Sequence, residues 1–410
     1  MNLTWVLAWR NLWRHRRRTW LTVGAMVFCN VLLVFMISLQ LGSYQMMIDN
    51  TLALSSGHLQ VQHRDYRSQQ RMRDTVPQVA ALADTLRGQL AAHAVAARAQ
   101  AFALASSEER SFGVLLSGVQ PAREPAVSSL PGLVGEGRYL QPGDSDAIVV
   151  GAVLARNLKV GIGGEVTFIG SGWDGSIAAG VATVVGILDS GVNEVDRGLA
   201  QVPLQWFQQV FAMGDAGHAV VVRLEQLDQV PAAQAQARSL LPAGEDLVVL
   251  DWNALQPGLK QAIQSDMASA WFMYGVLIVL VAFSVLNTQL MSVMERTHEF
   301  GVMLALGLGP GRLARLVGME TLLLSLLGLG VGVVLGAVLV IYLNIVGFTY
   351  PGMEEMAAQF NIPERIHPQV SLLSLTWGPL TVFGFSLLAA VYPALRPYRL
   401  APVAAMRAVQ

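Results

Sequence analysis

The chain has 410 residues, 53% of them hydrophobic and only 13% charged, about half the charged share usual in soluble proteins. Its 27 basic and 28 acidic residues leave a net charge of −1, so no global field points to nucleic acid. A single cysteine, Cys29, excludes an internal disulfide.

Residues 1–18 carry Arg10, Arg14, Arg16, Arg17 and Arg18 and no acidic residue. The apolar run 19–42 then matches the roughly 20 residues that cross a bilayer as a helix. It is too long for the core of a signal peptide, and no small-x-small cleavage site follows cleanly. Cys29 lies in mid-span after Phe28, which suits packing rather than lipid attachment.

Residues 43–267 are too polar to be embedded and read as a mixed α/β domain outside the membrane. Strands are expected at 57–62, 146–150, 218–224 and 246–250, and in the glycine-bounded runs "GGEVTFIGSG" and "ATVVGIL". Helices are expected at 76–90, in "AVLARNL", at 228–241 and at 254–267, the last running into the next span as one stiff rod.

Further spans fall at 268–294, 317–346 and 372–395, separated by a loop at 295–316 and another at 347–371, with a tail at 396–410. Arg296, Arg312 and Arg315 sit in the first loop, and Arg396, Arg399 and Arg407 in the tail. The second loop sets Arg365 against Glu354, Glu355 and Glu364. The positive-inside bias therefore puts both termini and the 295–316 loop in the cytoplasm, and the large domain and the 347–371 loop outside.

Several polar groups lie in or near the spans. Asn30, Gln40, Asn287 and Gln289 either bond between helices or line a lipid-accessible groove. Glu320 reads as an interfacial carboxylate near Arg312 or Arg315. Gly328, Gly332 and Gly336 recur every four residues, placing three positions without side chains on one helix face.

Catalytic signatures are missing. There is no G-x-x-x-x-G-K-[ST] loop for ATP, His298-Glu299 lacks the second histidine of a zinc protease helix, and no G-x-S-x-G elbow occurs. "GIGGEV" lacks the third glycine of a dinucleotide loop and suits a tight turn.

The most informative stretch is "ERTHEFGVMLALGLGPGRL" (295–313). A helix from Glu295 to Leu306 puts Phe300, Met303 and Leu304 on one side, with Glu295, Arg296 and Glu299 largely elsewhere. "GLGPG" then ends it, because Pro310 blocks continuation and the glycines permit reversal. Read on its own, the segment is a membrane-surface anchor whose arginines reach headgroups.

The stretch resembles the coupling segment of FtsX-like, MacB-type ABC transporter permeases, with the pattern E-R-x-x-E-[IF]-G-x-x-x-A-L-G. Glu295, Arg296, Glu299, Phe300, Gly301, Ala305, Leu306 and Gly307 meet that pattern, while Leu304 stands where the family usually has a basic residue. "AWRNLWRHRRRTWLT" resembles the family's amphipathic N-terminal helix, and Glu320 matches a family glutamate. "YPALRPYRLAPVAAMR" resembles its closing signature, with Ala404 replacing a common acidic residue. "VLARNLKVGIGGEVTFIG", "TVVGILDSGVNEVDRGLAQVPL" and "DWNALQPGLKQAI" resemble the lipoprotein-releasing, LolC/LolE-like branch, although no proline-containing chaperone hook is evident.

The resemblance implies a fold of four transmembrane helices with a large two-lobed α/β extracytoplasmic domain, the inserted lobe near 146–215. It implies a non-catalytic permease subunit of the bacterial inner membrane, working with a cytoplasmic ABC ATPase dimer, a second permease chain and membrane lipids. A periplasmic acceptor protein is a further expected partner. ATP and magnesium would be bound by the ATPase, and no cofactor by this chain. Glu295, Arg296, Glu299, Phe300, Gly301, Met303, Leu304 and Gly307 would couple to the ATPase, with Phe300 filling a pocket in it and Glu299 pairing nearby. The implied activity is release of a lipoprotein or another lipid-like substrate by mechanotransmission. Efflux of amphipathic peptides or drugs, and regulation of a periplasmic enzyme without cargo, remain alternatives.

Overall fold

The computed structural model describes residues 3–14, 16–242, 244–353, 357 and 363–400. The closing segment 401–410 with Ala404 and Arg407, and the loop residues Glu354 and Glu355, lie outside them. The chain divides into two compact units. One comprises Met1–Met46, Ala262–Tyr350 and Arg365–Gln410, the other Met47–Gln261 and Pro351–Glu364.

The helical unit opens with α1 (Leu3–Arg14) and α2 (Arg16–Thr51), so the basic residues at 16–18 belong to the span helix rather than to the amphipathic one. Ala8 and Leu12 of α1 are buried, while Trp5 and Trp9 stay exposed. Trp9, Trp13 and Trp20 form two edge-to-face contacts, each with centroids 5.9 Å apart. Such amphipathic rings suit the membrane–water boundary.

Among its described residues the second unit is built on ten strands: β1 (Leu59–His63), β2 (Ala94–Ser106), β3 (Ser111–Val119), β4 (Val134–Gly137), β5 (Ala147–Gly151), β6 (Glu165–Ser171), β7 (Ile177–Leu188), β8 (Leu199–Pro203), β9 (Ala219–Arg223) and β10 (Leu247–Asp251). Their order is β10-β1-β9-β2-β3-β8-β5-β7-β4, with β6 pairing both β2 and β7. These pairings contain a closed circuit, β2-β3-β8-β5-β7-β6 and back to β2, which is a six-stranded barrel. Closure removes the sheet edges that would otherwise invite aggregation.

β2 is the hub. Its first half, Ala94–Arg98, pairs with β9, and on the same edge its second half, Ala103–Ser106, pairs with β6. One lobe is thus the antiparallel set β10-β1-β9-β2, with α3 (Val79–Gln89) packed on β2 and β9 and α7 (Val230–Ser239) on β10. The other lobe is the barrel, with α4 (Ala152–Leu158), α5 (Asn193–Gly198) and α6 (Leu204–Val210) around it. Segment 146–215 supplies four of the six barrel strands; β2 and β3 supply the other two. One continuous cluster of buried residues, including Leu116, Phe168, Phe207, Val220 and Val222, runs through both lobes.

The helical unit resumes within α8, which is unbroken from Pro257 to Glu295. It is followed by α9 (Thr297–Ala305), α10 (Pro310–Val346) and α11 (Leu372–Leu395). The helix expected from 254 starts at Pro257, because a short turn at Trp252–Leu255 is capped by the Asp251 side chain and Pro257 suits the first position of a new helix. Among the described residues four helices are long and apolar enough to span a membrane, and only 22–50% of each apolar window is buried within the chain. Phe28, Phe272 and Phe283 are among the side chains left to face lipid or a partner.

Inside this unit α2 is the central post. Cys29, Leu33 and Ile37 pack on Tyr274 and Ile278 of α8 and Val382 of α11. On its other side Gly328, Gly332 and Gly336, all buried, abut Met26, Asn30 and Val34, a matching four-residue ladder. Asn30 Nδ2 donates to the Gly328 carbonyl at 3.2 Å. Gln40 likewise bonds between helices: its Nε2 donates to Asp266 Oδ2 at 3.2 Å, and its Oε1 accepts from the Tyr274 hydroxyl at 2.9 Å. Gln289 is buried, its Oε1 without a hydrogen-bond partner among the described residues, whereas Asn287 is exposed on the surface of α8.

Candidate functional site

Helix α8 does not continue through the coupling stretch. It ends at Glu295, and Arg296, with φ −101° and ψ 13°, turns the chain before α9 begins at Thr297. The expected single helix from Glu295 to Leu306 is therefore two elements with a corner between them. The reason lies in the Arg296 side chain, which is 7% exposed and points into the unit. Its Nη1 donates to Glu320 Oε1 at 2.9 Å and to Oε2 at 3.1 Å, and its Nε reaches Glu299 Oε2 at 3.4 Å. Its guanidinium carbon stands 5.1 Å from the centre of the Phe300 ring, a cation–π contact.

Glu320 is thus paired with Arg296 and not with Arg312 or Arg315. Helix geometry explains the difference: at about 100° per residue, Arg315 lies roughly 140° round α10 from Glu320, and Arg312 is two turns away. Both of those arginines are exposed. Asn11 of α1 adds a second partner, donating to Glu320 Oε1 at 2.8 Å. A buried ion pair needs this kind of additional hydrogen bonding to offset desolvation.

Two outer ion pairs tie the N-terminal helices to the same corner. Arg14 donates to Glu299 Oε1 at 2.8 Å, and Arg18 to Glu295 Oε2 at 2.6 Å and Ser292 Oγ at 2.9 Å. These are partly exposed and each contributes only about 0–1 kcal/mol. Burial pushes the Glu299 carboxyl up, but the hydrogen bonds and charges of Arg14 and Arg296 outweigh it and hold it below the usual carboxylate range.

Phe300 is 0% exposed and packs with Val293, Leu313 and Val317, flanked by Met303, Leu304 and Leu308. Its pocket is made by this chain's own helices, which corrects the expectation that it reaches into an ATPase. Gly301 is buried beside it, and Met303 and Leu304 are half-buried. The end of α9 turns through Gly307, whose φ of +87° suits glycine, and the Leu308 N–H closes on the Met303 carbonyl at 3.0 Å. Gly309 is extended, and Pro310 starts α10 at the position where a missing N–H costs nothing.

What α9 leaves open is its far face: His298, Val302, Ala305 and Leu306 are exposed, Leu306 at 81%. Of the residues singled out from sequence, Arg296, Phe300 and Gly301 are internal struts, Glu295 and Glu299 are ion-pair partners, and Gly307 is the turn. Sequence reading did not single out Asn11, Arg14 and Arg18 as partners, nor Val302 and Leu306 as the presented surface. The unmatched carboxylates of the 295–299 stretch were the one available signal for the arginines.

A four-span helical unit with a cornered segment between its second and third spans, joined in sequence to a two-lobed α/β domain, defines a class of transporter permease. The FtsX-like permease C-terminal family matches residues 271–402, and the MacB-like periplasmic core domain family matches residues 19–240, more than half of the chain. The chain belongs to the FtsX-like, MacB-type ABC transporter permeases, multi-pass membrane proteins with a periplasmic core domain.

Among curated relatives, it is 27% identical to the lipoprotein-releasing system transmembrane protein LolC of Xylella fastidiosa strain Temecula1, over 73% of this chain and 74% of the relative. LolC of Neisseria meningitidis serogroup B is 26% identical over 72% and 73%. Among solved structures, the periplasmic region of MacB from Actinobacillus actinomycetemcomitans aligns with a TM-score of 0.37 and 14% identity, covering 53% of this chain and 96% of that one.

Proposed function

We propose that this chain is the permease subunit through which ATP hydrolysis by a separate cytoplasmic ATPase drives release of a lipidated protein from the inner membrane. The observation that carries the reading is the α8–α9–α10 corner. It is braced internally by Arg296–Glu320 and Phe300, and it presents an exposed apolar tip, Val302 and Leu306. A rigid projection with an apolar end is what a docking element requires, since a partner's push is lost if the element deforms. The arginine asymmetry supports a cytoplasmic position for this corner and both termini.

On this reading ATP and magnesium belong to the ATPase, and a second permease chain completes the assembly. Val302 and Leu306 meet the ATPase, and α8, about 58 Å long at 1.5 Å per residue, carries the motion onward. The lipoprotein-releasing relatives support a cargo bearing acyl chains. Extracting acyl chains at about 0.8 kcal/mol per CH₂ requires an energy source, consistent with coupling to ATP.

The test is reconstitution of the full chain with its ATPase in nanodiscs, using one candidate cargo with and without its acyl chains. ATP-dependent release of the lipidated form alone supports the proposal. Release of neither form, or ATPase stimulation indifferent to acylation, rejects it in favour of peptide efflux or regulation without cargo.

A further inference from the structure

The outer surface of the barrel carries two neighbouring cross-strand rows of unlike chemistry. The register aligns Phe102 of β2 with Leu115 of β3, and Leu115 with Leu199 of β8. Two residues along, Gln100 aligns with Ser117, and Ser117 with Gln201. Because alternate residues share a face, both rows point the same way. On the other flank Leu104 aligns with Ile169 of β6, and Ile169 with Ala179 of β7, extending the apolar row.

This face is exposed. Phe102 is 67% accessible and Ile177 82%, with Leu104, Ile169 and Val181 near half. No charged residue occupies the stretches 100–104, 113–117, 167–171, 177–181 or 199–201. Soluble domains rarely leave a contiguous apolar band of this kind without a use for it.

Part of the band is concave. A groove of about 380 Å³ runs over β2, β3 and β8 under α5, with Leu54, Leu130 and Val195 completing its apolar walls. That is within the range of roughly 300–1,000 Å³ typical of ligand sites. Its lining carries two charged residues, Arg98 and the exposed Glu194 of α5. Arg98 there is buried and compensated by Glu124, with Nε donating to Oε2 at 3.2 Å. Ser117 and Gln201 are 2% and 3% exposed. Gln201 Oε1 accepts the Tyr139 hydroxyl at 2.7 Å, but neither Gln201 Nε2 nor Ser117 Oγ hydrogen-bonds another described residue. Two buried donors therefore border a trough whose strand floor, over 100–104, 113–117 and 199–201, carries no charge.

We infer that this barrel groove is a second binding site, for an acyl chain: its ester or amide carbonyl would accept from Gln201 and Ser117, and its methylenes would lie along Leu199, Leu115, Phe102 and Ile169. Five strands at about 4.8 Å spacing give the row a length of roughly 19 Å, suited to one extended long-chain acyl group. A carbonyl on an apolar tail is a ligand that uses two donors without bringing an anion beside Glu194. This site lies wholly in the outer domain, so a released chain would have apolar cover after leaving the bilayer. The inference rests on the lipidated-cargo reading for its physiological ligand.

The experiment uses the full-length chain in nanodiscs and an N-palmitoyl tripeptide with a diazirine in its acyl chain. An unacylated tripeptide bearing the same diazirine is the control. After irradiation, adducts are mapped by mass spectrometry. The expected result is acyl-dependent adducts on β2, β3 and β8, at least ten-fold fewer in Phe102→Lys and in Leu115→Lys, with adducts on the membrane helices unchanged. Both side chains point outward from the barrel, and Ile169→Lys, remote from the polar border, should deplete adducts only at the far end of the row. Equal labelling by the unacylated peptide, or strand labelling untouched by all three variants, would overturn the inference. So would disulfide-linked dimers of Phe102→Cys in a Cys29→Ala background with no strand adducts, which would make the band a face between copies. ATP-driven release without strand adducts would sink the groove alone, whereas strand adducts without ATP-driven release would keep the groove and sink the lipidated-cargo function.

Discussion

A methyl group placed at Gly332 tests the packing of α10 on α2 most directly. A Cβ built there lies 2.5 Å from the Asn30 Cβ, against 2.7 Å to Met26 Cβ at Gly328 and 3.0 Å to Val34 Cβ at Gly336. At Gly330, on the opposite side of α10, nothing lies within 4 Å. The 2.5 Å contact involves a Cβ, which is fixed by the backbone and cannot rotate away, so the helices themselves must separate. Overpacking of this kind costs about 1–3 kcal/mol. Replacing glycine by alanine within a helix returns roughly 0.5–1 kcal/mol. The net expectation is a loss of about 1–2 kcal/mol for Gly332→Ala, a smaller loss at 328, near balance at 336, and a slight gain at 330.

The assay is thermal or denaturant unfolding of the purified full chain in one detergent, comparing the four alanine variants. A second arm moves the methyl across the interface: Asn30→Gly with Gly332→Ala restores the gap while sacrificing the Asn30 bond to the Gly328 carbonyl. In the Asn30→Gly background Gly332→Ala should cost little, so the double variant should match Asn30→Gly alone. Equal stability of Gly332→Ala and Gly330→Ala, or the same cost of Gly332→Ala in both backgrounds, would refute the close-packing argument.

Other outcomes follow from the same physics. Arg296→Ala leaves Glu320 buried and uncompensated and should cost about 3–5 kcal/mol, whereas the joint change Arg296→Met with Glu320→Leu should cost far less; unfolding of the two proteins in parallel decides it. Phe300→Ala should cost about 3–5 kcal/mol of unfolding stability because the side chain is fully enclosed, while Val302→Asp with Leu306→Asp should leave stability near wild type and lose the ATPase on copurification. Burial pushes the His218 imidazole, with Nδ1 accepting the Gln100 N–H and Nε2 against the Met72 carbonyl at 3.3 Å, down to about 4. Since this lowered value lies below the unfolded one of about 6.5, stability is full above pH 6.5 and falls as the pH drops toward 4, by up to about 3 kcal/mol. His218→Gln should flatten the pH dependence of outer-domain melting across that window; an unchanged slope would reject the assignment.

The elements that announce themselves in the sequence are those whose chemistry is local. Apolar runs and arginine placement mark the four helices, because crossing a bilayer constrains length and composition within one segment. The Gly328–Gly332–Gly336 ladder is equally local, although its partners, Met26, Asn30 and Val34, are not. By contrast β2 gave no sign of itself. "AVAARAQAFALAS" is rich in alanine, a strong helix former, and it is a strand only because β3, β9 and β6 pair with it. Alanine suits that place because the barrel interior beside Phe168 and Phe207 leaves little volume for larger inward side chains.

The candidate coupling corner shows the same division. Its pattern, Glu295-Arg296 to Gly307, is visible as a motif, but the motif does not say which way each side chain points. Arg296 reads as a surface charge until Glu320, 24 residues on and itself held by Asn11 from the other end of the chain, pairs with it. Phe300 reads as an anchor for a partner until Val293, Leu313 and Val317 enclose it. A buried cation and a buried ring hold the segment at its sharp turn, and the proposed contact through two modest exposed residues, Val302 and Leu306, depends on that bracing. The groove on the barrel is the more extreme case. Phe102, Leu115 and Leu199 come from three separate strands, one of them parallel to its neighbour, so only the register brings them into one row.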